Sequence, residues 1–325
     1  MLLRHLSYFV TLARERHFAR AAEACHVAQP TLSAAIRKLE EDLGVRLVIR
    51  AHRYAGLTPE GERVLTWGQQ ILSDYASLRE DLSTRRHGLV GVLRLGVIPA
   101  AMPSVSFLTA RFCAEHPAAD VEIQSLTSRA IQHGLDAFEL DGGVTYLENE
   151  PLEHVRRVPL YREHYVFMTH RGHPLAGRKT VTWAEAAGQR LCLLSEDMQN
   201  RRIVNNVAAS IGVTVSSPLV SNSFLGICSH LRHGEWSSIV PHTFAYVFGD
   251  ASDLVAIDLV QPIHSQMIGL VLSDREPSSP MASALLAAAL QTDLDREFKT
   301  AGVVDRKSTR LNSSHERRSR MPSSA

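Results

Sequence analysis

The sequence predicts a mixed α/β protein in three parts: a small helical head closed by a wing, a long linker helix, and a larger two-lobed body. Three observations predict it. Residues 18–37 read as two short helices joined by a tight turn, and residues 59–86 carry one unbroken apolar seam. From Val92 onward, short apolar runs alternate with helical periodicity, the pattern of strands covered by helices.

In the head, Leu6, Phe9, Val10 and Ala13 form one apolar stripe of a first helix. Phe18 opens a second helix through Ala21, Ala22 and Ala24, whose small side chains allow close helix approach. Val27 is the apolar plug of the turn, and Pro30, which lacks an amide hydrogen, suits the first position of a third helix. Leu32, Ile36, Leu39 and Leu43 give that helix its inward face. Gln29, Pro30, Thr31, Ser33, Ala34, Arg37 and Lys38 remain outside. A single such helix, taken alone, is an ordinary amphipathic helix with a solvated side. The Ala-rich second helix, the tight turn and the Pro-initiated small polar face together point instead to a helix that lies in a DNA major groove. Arg bonds guanine bidentately, Ser and Thr suit either base type, and the Ala methyl touches the thymine methyl. Gly44 ends the helix, Val45–Val48 reads as a short strand, and Ile49–Leu57 as a hairpin wing with Arg50 and Arg53 as candidates for phosphate or minor-groove contact.

The order of these elements and the phrases FARAAEACHVAQPTLSAAIRKLEEDLGVRL and LTPEGERVL resemble the LysR-type transcriptional regulators. The match is dense over the head and looser to about residue 295. The resemblance implies a winged helix-turn-helix over residues 1–58, a dimerising linker helix over 59–88 and an effector-binding domain over 89–300. Ala28 stands where the family commonly has Ser, and Ala34 where it often has a long polar or basic residue. These departures bear on base preference rather than on DNA binding.

Charge is divided unevenly. Residues 1–58 hold nine basic and five acidic residues, a balance of +4; residues 301–325 hold six and two, again +4, so the stretch between carries −7 of the overall +1. A basic head on an acidic body is the asymmetry expected when only the head meets phosphate. Cys25, Cys113, Cys192 and Cys228 lie far apart without a Cys-x-x-Cys pair, which argues against a metal site or disulfide framework. Neither a signal peptide nor an apolar run near the ~20 residues of a membrane span is evident, so a cytoplasmic protein is expected.

Thr58, Pro59 and Glu60 supply a capping hydroxyl, a proline at the first helical position and an acid in the first turn. The helix is expected to reach about Arg86. Val64, Gly68, Ile71, Tyr75, Leu78 and Leu82 alternate at spacings of four and three, a coiled-coil seam widened by Leu65 and Leu72. The resemblance implies pairing with the same helix of a second copy, in a dimer or tetramer; the competing reading packs the stripe on the chain's own body. Gly88 and Gly91 mark a hinge.

In the body, strands are expected at Val92–Ile98, Asp120–Gln124 and Gly142–Tyr146, with helices at Ser104–His116 and Ser128–Phe138, a parallel βαβαβ unit. Further strands are expected at Tyr165–Thr169, Leu191–Leu194, Ser217–Ser221, Ser238–Val240, Leu254–Ile257 and Gln266–Leu272. Crossovers near Leu160–His164 and His264–Ile268 would divide the body into lobe I (about 89–161 and 266–300) and lobe II (about 162–265). This layout resembles the periplasmic-binding-protein fold of LysR-type effector domains. Ligands in such sheets sit at the carboxyl ends of strands, against helix N-termini. That rule selects Ala100, Ala101, Met102 and Ser104, then Thr127, Ser128 and Arg129, then Met198, Gln199 and Asn200 with Asn222 and Ser223 nearby. Ser128 stands where the family often places an effector-bonding hydroxyl, and Ala100 departs from its frequent Ser or Thr. Each hydroxyl taken singly reads more readily as a helix cap than as a ligand contact. Amides, hydroxyls and helix dipoles suit a small anion, a carboxylate above all, with Arg129 and Arg201 as added positive charge.

No His-Glu-x-x-His spacing, Gly-x-Ser-x-Gly elbow or phosphate loop occurs, so neither an enzyme nor a metal or other cofactor is expected. Residues 301–325 are polar, basic and Ser-rich, as disordered segments are, and read as non-native read-through rather than as part of the fold. The sequence thus points to an effector-responsive transcription regulator whose partners are double-stranded promoter DNA, its own copies and, as a further candidate, RNA polymerase. The alternative is a solute-binding module whose helical head serves only dimerisation.

Overall fold

The computed structural model of the chain describes residues 2–50, 54–148, 152–248 and 253–300. Arg53, the side chain of Arg50 and residues 301–325 fall outside the described part. The head comprises α1 (Leu2–Glu15), α2 (Phe18–Ala24), α3 (Gln29–Leu43), β1 (Val48–Arg50) and β2 (Tyr54–Leu57). Leu6, Phe9, Leu12, Ala21, Ala22, Leu32, Ile36, Leu39, Leu47 and Val48 form its core. Leu12 takes the place expected of Val10, which instead packs toward the linker helix at Gly68. The wing begins at Val48 rather than Val45, because the Val45 amide is used to close the end of α3 on the Glu40 carbonyl (3.2 Å). Gly44 makes that closure possible by adopting φ +69°. The buried Glu40 carboxylate accepts from the Leu47 and Val48 amides (2.9 and 3.3 Å), which fastens the wing to α3.

The linker helix α4 spans Pro59–His87. Thr58 caps it by accepting from the Gly61 amide (2.9 Å) and donates to the Arg46 carbonyl (2.6 Å), tying helix start to wing. A methyl at Gly61 would collide with the Leu47 carbonyl oxygen, so only glycine lets α4 start this close to the wing. The expected seam divides in two. Val64, Leu65 and Leu72 pack against the head core, and Gly68 is buried against Leu6 and Val10. Ile71, Tyr75, Leu78 and Leu82, with Trp67, stay exposed along one stripe. A different, polar face meets the body: Arg275 donates to Ser73 Oγ (2.8 Å), Asp74 Oδ1 (3.2 Å) and Ser77 Oγ (3.3 Å), with its guanidinium 5.1 Å from the Phe138 ring centre.

The body runs β3 (Gly91–Val97), a 3-10 turn at Pro99–Ala101, α5 (Met102–Glu115), β4 (Ala119–Ser125), α6 (Ser128–Asp136), β5 (Gly142–Tyr146) and β6 (Val155–His170). Then follow β7 (Thr180–Thr182), α7 (Trp183–Ala187), β8 (Cys192–Leu194), α8 (Gln199–Ser210), β9 (Leu219–Ser221) and α9 (Phe224–Leu231). The chain ends its described part with β10 (Ser238–Pro241), α10 (Phe244–Phe248), β11 (Leu254–Val260), β12 (Ser265–Ser273), α11 (Pro280–Gln291) and α12 (Leu294–Thr300). One eight-stranded sheet has the order β4-β3-β5-β12-β6-β11-β7, with β10 also on β6; β8 and β9 form a separate parallel pair.

The sheet is mixed, not parallel as the alternation suggested. β3 runs parallel to β4 and β5, whereas β12 runs antiparallel to β5 and β6, and β6 antiparallel to β10 and β11. The strands that cross between lobes cause this, since each returns the chain against its neighbours. The first crossover is itself strand: β6 is one 16-residue strand, where a shorter Tyr165–Thr169 was expected. Its first half pairs with β12 and its second half with β10 and β11. Burial follows suit, alternating up to His164 and continuous from Tyr165 to Thr169, where lobe II covers both faces. β7 and α7 escaped the periodicity reading because each is short, although the Thr182–Glu185 capping box was legible.

Tyr161, Glu163 and Tyr165 share one face of β6, and Glu163 is fully buried there. It accepts from the Tyr146 hydroxyl (2.7 Å). Burial pushes its carboxyl up to about 8, against a partial lowering by Tyr146 and Tyr165. At this site the folded state therefore holds up to one proton more than the unfolded state between about pH 4.5 and pH 8, and its contribution to stability falls as pH rises through that window. His242, stacked on His164 at 3.8 Å, works in the opposite sense. Burial holds its imidazole neutral down to about 3, so stability is lost as pH falls below the ordinary histidine value. Replacing Glu163 by Gln should remove the alkaline part of this profile, a slope of at most ~1.4 kcal/mol per pH unit. Urea unfolding of both forms from pH 5 to pH 8 checks this: the difference in stability between them should widen with pH in favour of the variant.

Candidate nucleic-acid interface and ligand cleft

The turn between α2 and α3 places the two helices as a helix-turn-helix. His26 takes the left-handed region (φ +53°), and the Val27 amide returns to the Ala22 carbonyl (3.0 Å). His17 caps α2 from its Nδ1, which accepts from the Arg20 amide (3.4 Å). Ala28 caps α3 without a side-chain bond, as an alanine there must. Gln29, Pro30, Thr31, Ala34, Arg37 and Lys38 are exposed along one face and Ser33 is half-buried; Leu32, Ala35, Ile36 and Leu39 turn inward. Lys38 is engaged along its own helix, with Nζ 2.9 Å from Asp42 and 3.8 Å from Glu41. Arg37 has no ion pair among the described residues, which leaves it the face's uncommitted long donor. β1, which ends at Arg50, is tied to α3 through the Leu47 and Val48 amides, which donate to the buried Glu40 carboxylate.

In the body, a narrow cleft lies between the lobes. Ile98, Pro99, Ala100, Thr127, Ser128 and Tyr146 come from lobe I, and Leu194, Met198, Gln199 and Asn200 from lobe II. Six of the twelve selected residues therefore meet here. Ala101 and Ser104 are buried behind the wall, with Ser104 Oγ donating to the Ala101 carbonyl (2.7 Å). Met102, Arg129, Asn222 and Ser223 are exposed and do not line it. Arg201 is also outside it: its buried guanidinium is spent on the Leu194 carbonyl and Asn205 Oδ1 (both 2.9 Å). Among the described residues no charged side chain lines the cleft.

What lines it is a set of neutral hydrogen-bonding groups at two helix starts. α6 begins at Ser128, capped by Thr127 through the Ala130 amide (3.2 Å), and α8 begins at Gln199 after Met198, which offers no side-chain cap. Unpaired amides at such ends favour an acceptor or an anion. Ser128 Oγ donates to Gln199 Oε1 (2.6 Å) and lies 3.0 Å from Thr145 Oγ1. The single Ser128 proton being used on Gln199, Thr145 is the donor of that second bond. Asn200 Nδ2 donates to the Tyr146 hydroxyl (3.0 Å), which passes its own proton toward Glu163. Burial beside the Glu163 carboxyl also drives the Tyr146 hydroxyl well above the usual phenol range. Gln199 is buried, yet its Nε2 has no hydrogen-bond partner.

Tyr146, Leu194 and Glu163 were not selected from sequence. Tyr146 closes the strand Gly142–Tyr146, so the carboxyl-end rule that found Ser128 also reaches it. Glu163 shows only as one acid in the alternation Tyr161, Glu163, Tyr165. Periodicity gives no means of telling a buried acid from an exposed one.

Comparison with known proteins bears on both sites. Residues 3–62 match the family described as "Bacterial regulatory helix-turn-helix protein, lysR family", and residues 86–293 match "LysR substrate binding domain". The chain is 29% identical over 301 residues to the DNA-binding transcriptional dual regulator OxyR of Escherichia coli (strain K12), covering 92% of this chain and 97% of that protein. It is 31% identical over 305 residues to the SDS degradation transcriptional activation protein of Pseudomonas sp. (strain ATCC 19151), covering 90% and 96%. Among solved structures, a full-length OxyR variant from Pseudomonas aeruginosa superposes with TM-score 0.71 at 25% identity, covering 90% of this chain and 96% of that one. Full-length CbnR in complex with its target DNA shares the fold, with TM-score 0.63 at 22% identity and coverage of 90% and 99%. Matched over its head and over its body, the chain belongs to the LysR family of bacterial helix-turn-helix transcriptional regulators.

Proposed function

We propose that this regulator reads promoter DNA through the α3 face of Gln29, Pro30, Thr31, Ser33, Ala34, Arg37 and Lys38, with Arg50 and Arg53 of the wing on the backbone, and that a small anion in the cleft controls it. The carrying observation is the exposed start of α3, bearing small and polar side chains and one uncommitted arginine above a closed core. That face fits a major groove, and the +4 balance of residues 1–58 suits phosphate. The relatives named above are transcriptional regulators, and this reading assigns the cleft to ligand binding rather than to catalysis. No described helix is long and apolar enough to cross a membrane. A cytoplasmic site of action, close to its DNA, belongs to this reading.

The cleft suits a small carboxylate. With no cation in the lining, the charge would rest on the α6 and α8 amides, the hydroxyls and Gln199 Nε2, which together favour a single negative charge over several. The exposed stripe of Trp67, Ile71, Tyr75, Leu78 and Leu82 is the surface for a second copy through α4. A dimer aligns two heads, so that ligand-dependent closure in the bodies alters the distance between them.

A redox reading follows from relatives named hydrogen peroxide-inducible genes activator, among them one from Haemophilus influenzae that is 26% identical over 282 residues. The thiols of this chain favour the ligand reading instead. None lines the cleft; Cys192 and Cys228 are buried, with burial pushing their thiols up to about 11 and about 12, while Cys25 is half-buried in the head and Cys113 is exposed on α5, away from the cleft. Peroxide oxidises thiolates, and burial keeps Cys192 and Cys228 from that form at neutral pH.

Three outcomes test this. In a gel shift on the gene's own upstream DNA, Arg37→Ala should cost ~1–3 kcal/mol on the preferred sequence and relax preference at one base position; an equal loss on every sequence would make Arg37 a phosphate contact. Leu78→Ala with Leu82→Ala should weaken self-association by a factor on the order of 10² or more, from ~1.5–3 kcal/mol per buried leucine, read by sedimentation equilibrium. Millimolar peroxide should leave the DNA footprint unchanged, and a footprint that shifts reversibly with dithiothreitol would favour the redox reading.

A further inference from the structure

We infer that Gln199 is a built-in ligand: its carboxamide occupies the place of the effector's carboxylate, and the effector acts by displacing it. The inference rests on reading the cleft as the effector site and adds what holds that site before an effector arrives.

Three observations carry it. First, the Ser128 hydroxyl, at the start of α6, gives its proton to Gln199 Oε1 across the lobe boundary at 2.6 Å. Ser128 belongs to lobe I and Gln199 to lobe II, so the bond spans the two walls of the cleft. Second, Gln199 is 5% exposed while its Nε2 has no partner, so one half of the carboxamide is bonded and the other half is buried without a bond. A buried amide donor left unpaired costs free energy, and the arrangement is therefore one that a better-matched group can replace. Third, the surroundings suit an acceptor. α8 starts at Gln199 itself without a side-chain cap, and Thr145 donates to Ser128 from behind, which polarises the Ser128 hydroxyl toward whatever accepts from it.

The chemistry of the displacing group follows. It must accept from Ser128 Oγ as Oε1 does, and it lies between two helix starts that favour negative charge. A planar carboxylate meets both demands. One oxygen takes the place of Oε1, and the second turns toward the amides of α8, a position in which the Gln199 NH₂ group can offer no acceptor. The freed Gln199 side chain can then turn its amide donors onto the bound carboxylate. Displacement also exchanges a direct tie between the lobes for one made through the ligand. The tie from Asn200 to Tyr146 and Glu163 runs beside it and stays in place, so the lobes are held at one point and released at the other.

The experiment uses the full chain and simple probes. Gln199→Ala removes the atoms of acetamide, so acetate and acetamide are tested as replacements by thermal unfolding, at ionic strength matched with sodium chloride. Wild type, Gln199→Ala, Gln199→Glu and the double variant with Ser128→Ala are compared. Acetate should raise the Tm of Gln199→Ala by about 2–4 °C, with a smaller shift for neutral acetamide and for wild type. Gln199→Glu, which tethers a carboxylate in the same place, should fold with a Tm near that of wild type and show no acetate shift; it serves as the test if Gln199→Ala fails to fold. Equal acetate shifts in wild type and Gln199→Ala, a shift that survives Ser128→Ala, or a shift in Gln199→Glu would overturn self-occupation while leaving a ligand cleft. No shift with acetate or acetamide in any variant would overturn both the self-occupation and the carboxylate reading.

Discussion

The pairing of β6 with β12 in one lobe, and with β10 and β11 in the other, is the constraint on which the body depends. A single strand shared by two sheets' worth of neighbours fixes where the lobes meet, and so fixes the distance between the carboxyl ends of β5 and β8. Tyr146 and Leu194 stand at those ends, and both line the cleft. Because the backbone is continuous through the crossover, the lobes can rotate about it but cannot separate. The polar bonds across the cleft, from Gln199 to Ser128 and from Asn200 to Tyr146, then choose among the rotations that remain. Glu163 anchors the second of these from the middle of the shared strand, neutral and buried, so the tie has its foot in the element that the two lobes hold in common.

The linker helix meets its two neighbours through different physics. Its start is apolar and close-packed, with Gly61 against the wing and Gly68 against Leu6 and Val10. Its middle meets the effector lobe through Arg275, which reaches Ser73, Asp74 and Ser77 on a face of small polar side chains. The Arg275 side chain is 18% exposed there and also lies over the Phe138 ring, so the joint is polar and partly buried. The apolar stripe of Trp67, Ile71, Tyr75, Leu78 and Leu82 faces neither neighbour. The helix thus has an apolar joint with the head, a polar joint with the body, and an exposed apolar stripe that belongs to neither.

The head was the more legible half. Every local rule there points one way: the apolar spacing of α3, the proline at its start, the glycine at its end and the capped start of α4 agree, and the structure has helices where those signals put them. What misled was small and local. Val10 reads as core by spacing but faces α4, and Val45 reads as strand but closes α3 with its amide, because neither residue's partner is visible from its neighbours in sequence. In the body, the carboxyl-end rule brought Ala100, Thr127, Ser128, Met198, Gln199 and Asn200 to the cleft. The same rule also proposed Met102, Arg129, Asn222 and Ser223, since it names a chain segment and is silent on which side chains turn inward. Arg201 shows the limit most plainly, a cation that looked available for an anion and is consumed by a carbonyl and an amide one turn away.

By itself the sequence determined the order of head, linker helix and body, the exposed face of α3, the apolar seam of α4 and the segments that border the cleft. These are consequences of spacing, capping and charge, which act between residues close in the chain. Only the tertiary structure decided that the sheet is mixed, that the seam is divided between the head core and an exposed stripe, that Glu163 is buried and neutral, and that Gln199 answers Ser128. Each of those depends on residues brought together from distant strands and helices, where burial sets the cost of an unpaired polar group and so decides which pairings the fold keeps.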